Sequence, residues 1–364
     1  MVRRLLLIAL LLASARAGEV ERERLAAHVT TLASKEHGGR KGVGGRKAEA
    51  YVVAAFQETG LETIVQEVPC ADGKAARNVI GIRRAGEEAA KEHLILSAHY
   101  DHLGMLGGIL FPGAADNAAG CAALLELARL LPRDEKRDLI FIAFDREEER
   151  LQGSRAYCQH PVAPLEECVA MLTFDILGRD LMDATEGLLF CTGAERSDTL
   201  FDLVAKAPHP PGVELLFTGA DVVGDRSDFA PFRDKKVPFL FFSTGEYRDY
   251  HAATDTAERV DMGKLERETR LILEASRRIL AAPRARYLDE PALRVEEAKG
   301  LERVVAQLLA KRDQLGLSTG EALMAEGFRV SLAQIAASGE LTALQRSQLV
   351  ATTRLLVSTL QAAR

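Results

Sequence analysis

Eight short apolar, β-branched runs recur along this chain with amphipathic stretches between them, and that alternation narrows the possible folds more than any other feature. The runs fall near 63–68, 78–82, 94–97, 139–144, 169–177, 188–191, 215–218 and 237–242. Near-continuous apolar strands belong to sheets covered on both faces. Residues 117–131 place Cys121, Leu124, Leu125, Ala128 and Leu131 on one helical stripe, and 263–280 form a second amphipathic helix. Strands alternating with helices predict an α/β fold with a mixed, largely parallel β-sheet sandwiched between helices. Ligands of such sheets bind in the crevice at the carboxyl ends of the strands.

The ends of the chain read differently. Residues 1–17 have the order of a secretory signal: Arg3 and Arg4, an apolar stretch from Leu5 to Leu12, and Ala15-Arg16-Ala17 as a small-x-small cleavage site. The apolar stretch is too short for a bilayer span. The expectation is therefore an exported protein, cleaved near Ala17, with no membrane span in the mature chain. Loss of Arg3, Arg4 and Arg16 moves the formal charge from −6 to −9. That acidity argues against nucleic acid as a partner. After Pro283, residues 284–364 show no strand pattern, and Leu301, Val304, Val305 and Leu308 follow helical spacing. Ser318, Thr319 and Glu321 read as a helix start. This all-helical C-terminal extension is expected to pack on its own chain, clear of the chemistry, with a homodimer through the tail as the alternative to a monomer.

Near the N-terminus, residues 20–60 look helical, interrupted by Gly38, Gly39, Gly42, Gly44 and Gly45. No strand precedes this cluster and dinucleotide spacing is absent, so it reads as a loop. Of the five cysteines, Cys158 and Cys168 flank a short segment containing Pro161 and Pro164 and are the preferred disulfide pair; five buried thiols are the alternative.

Metal-binding side chains stand at or just past the ends of the apolar runs. His99 and Asp101, two apart at a strand end, point the same way, so Asp101 can fix which imidazole nitrogen faces a metal. His102 is expected on the other face. Asp116 precedes Asn117 and a helix; it suits an N-cap, and its two oxygens could also serve two ions. Glu147 and Glu148 are adjacent, so one can bind a metal while the other meets the water as general base. Asp175 is a lone acid inside an apolar run, which is costly unless paired or metal-bound. His251 sits in a polar turn beside Tyr250. Histidines mixed with carboxylates suit zinc.

The strings AHYDHLG, GAADNAAG, FDREEERLQGS, FDILGRD and DYHAATDT, in that order, resemble the motifs of the M28 family of zinc peptidases. LASKEHGGR, NVIGI and GDRSDFAPF resemble its connecting segments, and the resemblance covers roughly 22–283. It implies a zinc-exopeptidase type of sheet and a catalytic domain over 18–283. It further implies two Zn2+ shared through Asp116, with His99 and Asp175 completing one site and Glu148 and His251 the other. Glu147 is then the general base, Asp101 the orienter of His99, and Tyr250 a donor to the developing oxyanion. The implied activity is exopeptidase hydrolysis of the N-terminal bond of a peptide substrate by metal-activated water.

Three departures bear on substrate preference: Ala119 removes a hydroxyl past Asp116, Arg150 replaces a glycine, and Phe229 stands where a histidine is common. The alternatives are a mono-zinc acyltransferase like the glutaminyl cyclases, a carboxypeptidase using an arginine such as Arg226, and a non-catalytic binding protein. The cyclases carry a tryptophan beside the last histidine, and this chain has none. Binding proteins on this fold usually lack several ligands, and here all five are present.

Overall fold

The sheet runs in the order β1-β2-β6-β3-β7-β10-β8-β9. Its strands are β1 (Glu62–Val68), β2 (Ala76–Arg83), β3 (Glu92–His99), β6 (Arg137–Phe144), β7 (Cys168–Phe174), β8 (Leu188–Thr192), β9 (Glu214–Thr218) and β10 (Phe239–Ser243). Each falls on one of the eight apolar runs. A hairpin of β4 (Gly104–Leu106) and β5 (Ile109–Phe111), not foreseen from the sequence, stands apart. The computed structural model describes residues 18–362 except 71, 72, 74, 75, 87–90 and 135; the expected signal segment 1–17 lies outside the described residues.

Central strands β6, β3, β7 and β10 are mutually parallel, whereas β1, β2 and β8 join antiparallel. The period-two alternation of a strand splits each central run between two cores. Leu94, Leu96, Leu139 and Phe141 face one side, and Ile95, Ile140, Ile142 and Phe144 the other. All are essentially inaccessible to solvent, and each such side chain stabilises the fold by roughly 1.5–3 kcal/mol.

Helices α1 (Arg22–Leu32), α2 (Val43–Glu58), α3 (Ala119–Leu130), α5 (Asp198–Ala205) and α8 (Met262–Ala281) cover the first face. α4 (Gln152–Gln159), α6 (Ala220–Val223) and α7 (Phe229–Asp234) contribute to the second. Cys158 and Cys168 are both free thiols, so the expected link between them is not made. Both are instead buried apolar side chains in the second core.

Beyond α8 come α9 (Val295–Ala310), α10 (Thr319–Ser338) and α11 (Ala343–Ala362). Ser318 and Glu321 form a reciprocal capping box at the start of α10, as their spacing predicts. These helices share a core with Met182, Leu188 and Leu216 of the sheet region. Arg346 pins them there, donating to Asp221 at 2.6 and 2.9 Å and to Glu297 at 2.9 Å.

Candidate metal centre

Because the four central strands run in parallel, their carboxyl ends converge. His99 ends β3, Glu147 and Glu148 follow β6, Asp175 follows β7, and His251 lies on the loop after β10. Asp116 comes from the loop that leads into α3. The Nε2 of His99 stands 3.4 Å from Asp116 Oδ1 and 3.2 Å from Asp175 Oδ1. The Nε2 of His251 stands 3.2 Å from Asp116 Oδ2 and 2.9 Å from Glu148 Oε2. The two histidines thus address different oxygens of one carboxylate. The five residues expected to hold metal lie together, and Glu147 is close enough to His99 and Asp175 to share a metal-sized site with them.

Several local features set this geometry. Gly113 has φ 61°, and a Cβ there would meet Asp116 O at 2.2 Å and the His102 ring at 2.5 Å, so only glycine allows the close turn. At the start of helix α3 it is Asn117 Oδ1, not Asp116, that accepts the N–H of Gly120, at 3.0 Å. That frees the Asp116 side chain. Asp255 accepts from the N–H groups of Ala115 and Asp116. The fully buried Arg40 donates to the carbonyls of Tyr100, Pro112, Gly113 and Asp116 at 2.6–3.1 Å. Sequence reasoning found neither brace, since a basic residue in a glycine-rich stretch reads as solvated.

His102 is a correction. Its side chain was expected on the opposite face, but the chain leaves β3 after His99 and strand alternation no longer applies. The ring turns into the site, with Nδ1 2.7 Å from Glu148 Oε1. His102, Asp116 and Glu148 also lie within one metal-sized group. Asp101 stands 3.5 Å from His99 Nδ1 and accepts the backbone N–H groups of Glu147 and Glu148 at 3.1 and 3.4 Å. The Tyr250 ring stacks on His251, centroids 3.9 Å apart. Arg226 is ion-paired with Glu246.

Electrostatics follow from crowding. Burial, reinforced by Asp175, Asp228 and Glu148 and opposed by His99, holds the Glu147 carboxyl well above the usual range. Burial works against a charged His251, but Asp116 and Glu148 outweigh it and raise the imidazole to about 10. For Asp116 burial is overcome by His251 and His99, and its carboxyl is held well below the usual range. Carboxylates this dense in a buried site require compensating positive charge. The donor set therefore fits zinc: imidazole nitrogens and carboxylate oxygens converge, and His251 Nε2 faces two oxygens without hydrogen-bond geometry to either.

Known proteins resemble this chain in sequence and in fold. Residues 78–276 match the model of peptidase family M28. Aminopeptidase YwaD of Bacillus subtilis is 26% identical over 247 residues, covering 64% of this chain and 52% of that protein. The chain thus aligns with about half the length of that relative. A glutaminyl-peptide cyclotransferase of Boiga irregularis is 37% identical over 156 residues, covering 39% of this chain and 35% of its own length. The solved structure of BSAP, a zinc aminopeptidase from Bacillus subtilis, superposes with TM-score 0.62 at 16% identity, covering 75% of this chain and 99% of that one. The shared fold includes the mixed, largely parallel sheet.

Proposed function

Because this chain belongs to peptidase family M28, we propose that it is an exported di-zinc exopeptidase that hydrolyses the N-terminal bond of peptides. The observation that carries the reading is the pair of histidines on Asp116: His99 Nε2 at 3.4 Å from one oxygen and His251 Nε2 at 3.2 Å from the other. A carboxylate so flanked is suited to bridging, with His99 and Asp175 on one side and Glu148 and His251 on the other. Two zinc ions held there would polarise the scissile carbonyl and acidify a water molecule.

The chain's own groups do the rest. Glu147 takes the proton from the attacking water and passes it to the leaving amine. Asp101 holds the Glu147 loop and faces His99. Tyr250, stacked on His251 and in the wall of the cavity that holds Asp116 and Glu147, would donate to the developing oxyanion. The acidic cluster favours a free substrate amine. Arg226, the cation a carboxypeptidase would need, is already neutralised by Glu246. The arginine-led apolar segment 1–17 supports export, and among the described residues no helix is long and apolar enough to cross a membrane.

Elemental analysis with a panel of aminoacyl and N-blocked dipeptides tests the reading. The expected result is two zinc ions per chain and cleavage of free-amine substrates only. The cyclotransferase likeness favours a second reading, mono-zinc acyl transfer. One zinc at saturation, with N-terminal glutamine peptides converted to the pyroglutamyl form, would establish it instead.

A further inference from the structure

A cavity of about 220 Å³ opens directly beside the metal centre, with Asp116, Glu147 and Asp175 in one end of its wall. Its other end is built by the C-terminal helices: Leu301, Val304 and Leu308 of α9, Phe328 of α10, and Leu356 and Val357 of α11. None of these six belongs to residues 78–276, the part that matches the family. The extension supplies none of the proposed ligands, yet its helices line the cavity beside them. The reason is geometric: α9 packs across β9 at the sheet edge, and α11 reaches α6 through the Arg346–Asp221 pair, so both face the site from beyond that edge.

We propose that the C-terminal extension forms the specificity pocket of the enzyme, taking a bulky apolar side chain on the substrate residue whose carbonyl meets the metals. This rests on the hydrolytic reading above and adds the substrate class. The wall has the right chemistry. Ile176, Phe190, Val222 and Phe241 from the sheet region face the helices' apolar side chains across the cavity. Its polar side chains Thr192 and Thr218 satisfy each other at 2.7 Å, and Arg226 is held by Glu246. Away from the metal-facing end, where Asp116, Glu147 and Asp175 stand, the charged side chains of the wall are Arg226 and Glu246, which pair with each other. The size also fits: an apolar cavity of roughly 150 Å³ takes a benzene ring, so this one holds a benzyl or branched aliphatic group. A small side chain would leave the far wall without contacts and lose their dispersion and burial energy.

The test uses the full-length, metal-loaded protein. Val357 is half-buried on the cavity wall, so Val357→Phe fills the pocket with little disturbance to the core. Leu308→Ala enlarges it instead and guards against a misfolded first variant. Phenylalanyl and alanyl p-nitroanilides report hydrolysis, and calorimetry with phenylalaninol and alaninol, which have no scissile bond, reports binding without turnover. The wild type should prefer phenylalanyl over alanyl substrate by about tenfold or more, the scale of apolar pocket discrimination. Val357→Phe should lower kcat/KM for the phenylalanyl substrate about tenfold more than for the alanyl one, erasing that preference, and Leu308→Ala should shift it toward still larger side chains. Parallel loss on both substrates, or no change in either variant, would overturn the pocket and leave the hydrolytic reading standing. Val357→Phe-sensitive binding of phenylalaninol by a protein that cleaves neither substrate would keep the pocket and sink the hydrolytic reading. Absence of both cleavage and binding would overturn both.

Discussion

Asp101 accepts the backbone N–H of Glu147 at 3.1 Å, tying the end of β3 to the loop after β6 beneath the proposed general base. The same carboxylate stands 3.5 Å from His99 Nδ1. One side chain therefore positions a metal ligand and the base together. Asp101→Asn keeps the shape but removes the charge and can turn an N–H toward the loop. Such outer partners typically contribute about 10–100-fold in metal affinity or activity. Both the zinc dissociation constant and kcat should move by that order. A change confined to folding stability would reduce Asp101 to a structural brace.

Glu147 and Glu148 are neighbours with opposite tasks. Glu148 Oε2 lies 2.9 Å from His251 Nε2 and its other oxygen 2.7 Å from His102 Nδ1, so it is held as a ligand would be. Glu147 borders the cavity. Glu147→Gln should lower kcat by about a hundredfold or more with both metals retained. Glu148→Gln should lose metal first. Elemental analysis beside steady-state kinetics separates the two, and the reverse pattern would exchange their roles.

The sheet was legible because central strands buried on both faces favour apolar residues at successive positions, as 94–96 and 139–144 show. The ligands were legible through their motifs and their place at strand ends. What escaped depends on the path of the backbone after an element ends. Period-two reasoning put His102 on the wrong side because β3 stops at His99. The N-cap preference pointed to Asp116, whereas the first helical residue is Ala119, its N-cap position is Ala118, and Asn117 Oδ1 accepts the Gly120 N–H. The closeness of α9 and α11 to the site has no local signature, since it follows from tertiary packing across β9.

Arg40 is 0% exposed and spends its guanidinium on main-chain carbonyls, three of them on the loop that carries Asp116. Arg40→Met would leave those buried carbonyls without donors, at roughly 1–3 kcal/mol for each group unsatisfied. The expected outcome is a loss of about 3 kcal/mol or more in urea unfolding, with faster loss of zinc to a chelator. Unchanged zinc retention in a destabilised variant would show that Arg40 serves the fold and not the loop geometry.

His93 lies near the start of β3, 1% exposed and remote from the metal ligands at the other end of that strand. Burial, opposed by the charge of Asp138, lowers its imidazole from 6.5 to about 4. The folded state thus binds this proton more weakly than the unfolded chain does. Between pH 6.5 and about 4 the unfolded state carries more protons, so stability falls as pH falls through that window. The loss should reach roughly 2 kcal/mol by pH 5, because each tenfold difference in proton affinity between the two states is worth about 1.4 kcal/mol. Fully buried charge would otherwise have to enter the sheet between β6 and β7. His93→Gln, which cannot titrate, should show a shallower decline in urea midpoint from about pH 7 to pH 5 than the wild type. Some decline should persist, because His28 is also lowered to about 4 by burial. Identical slopes for the variant and the wild type would mean that His93 does not titrate across folding.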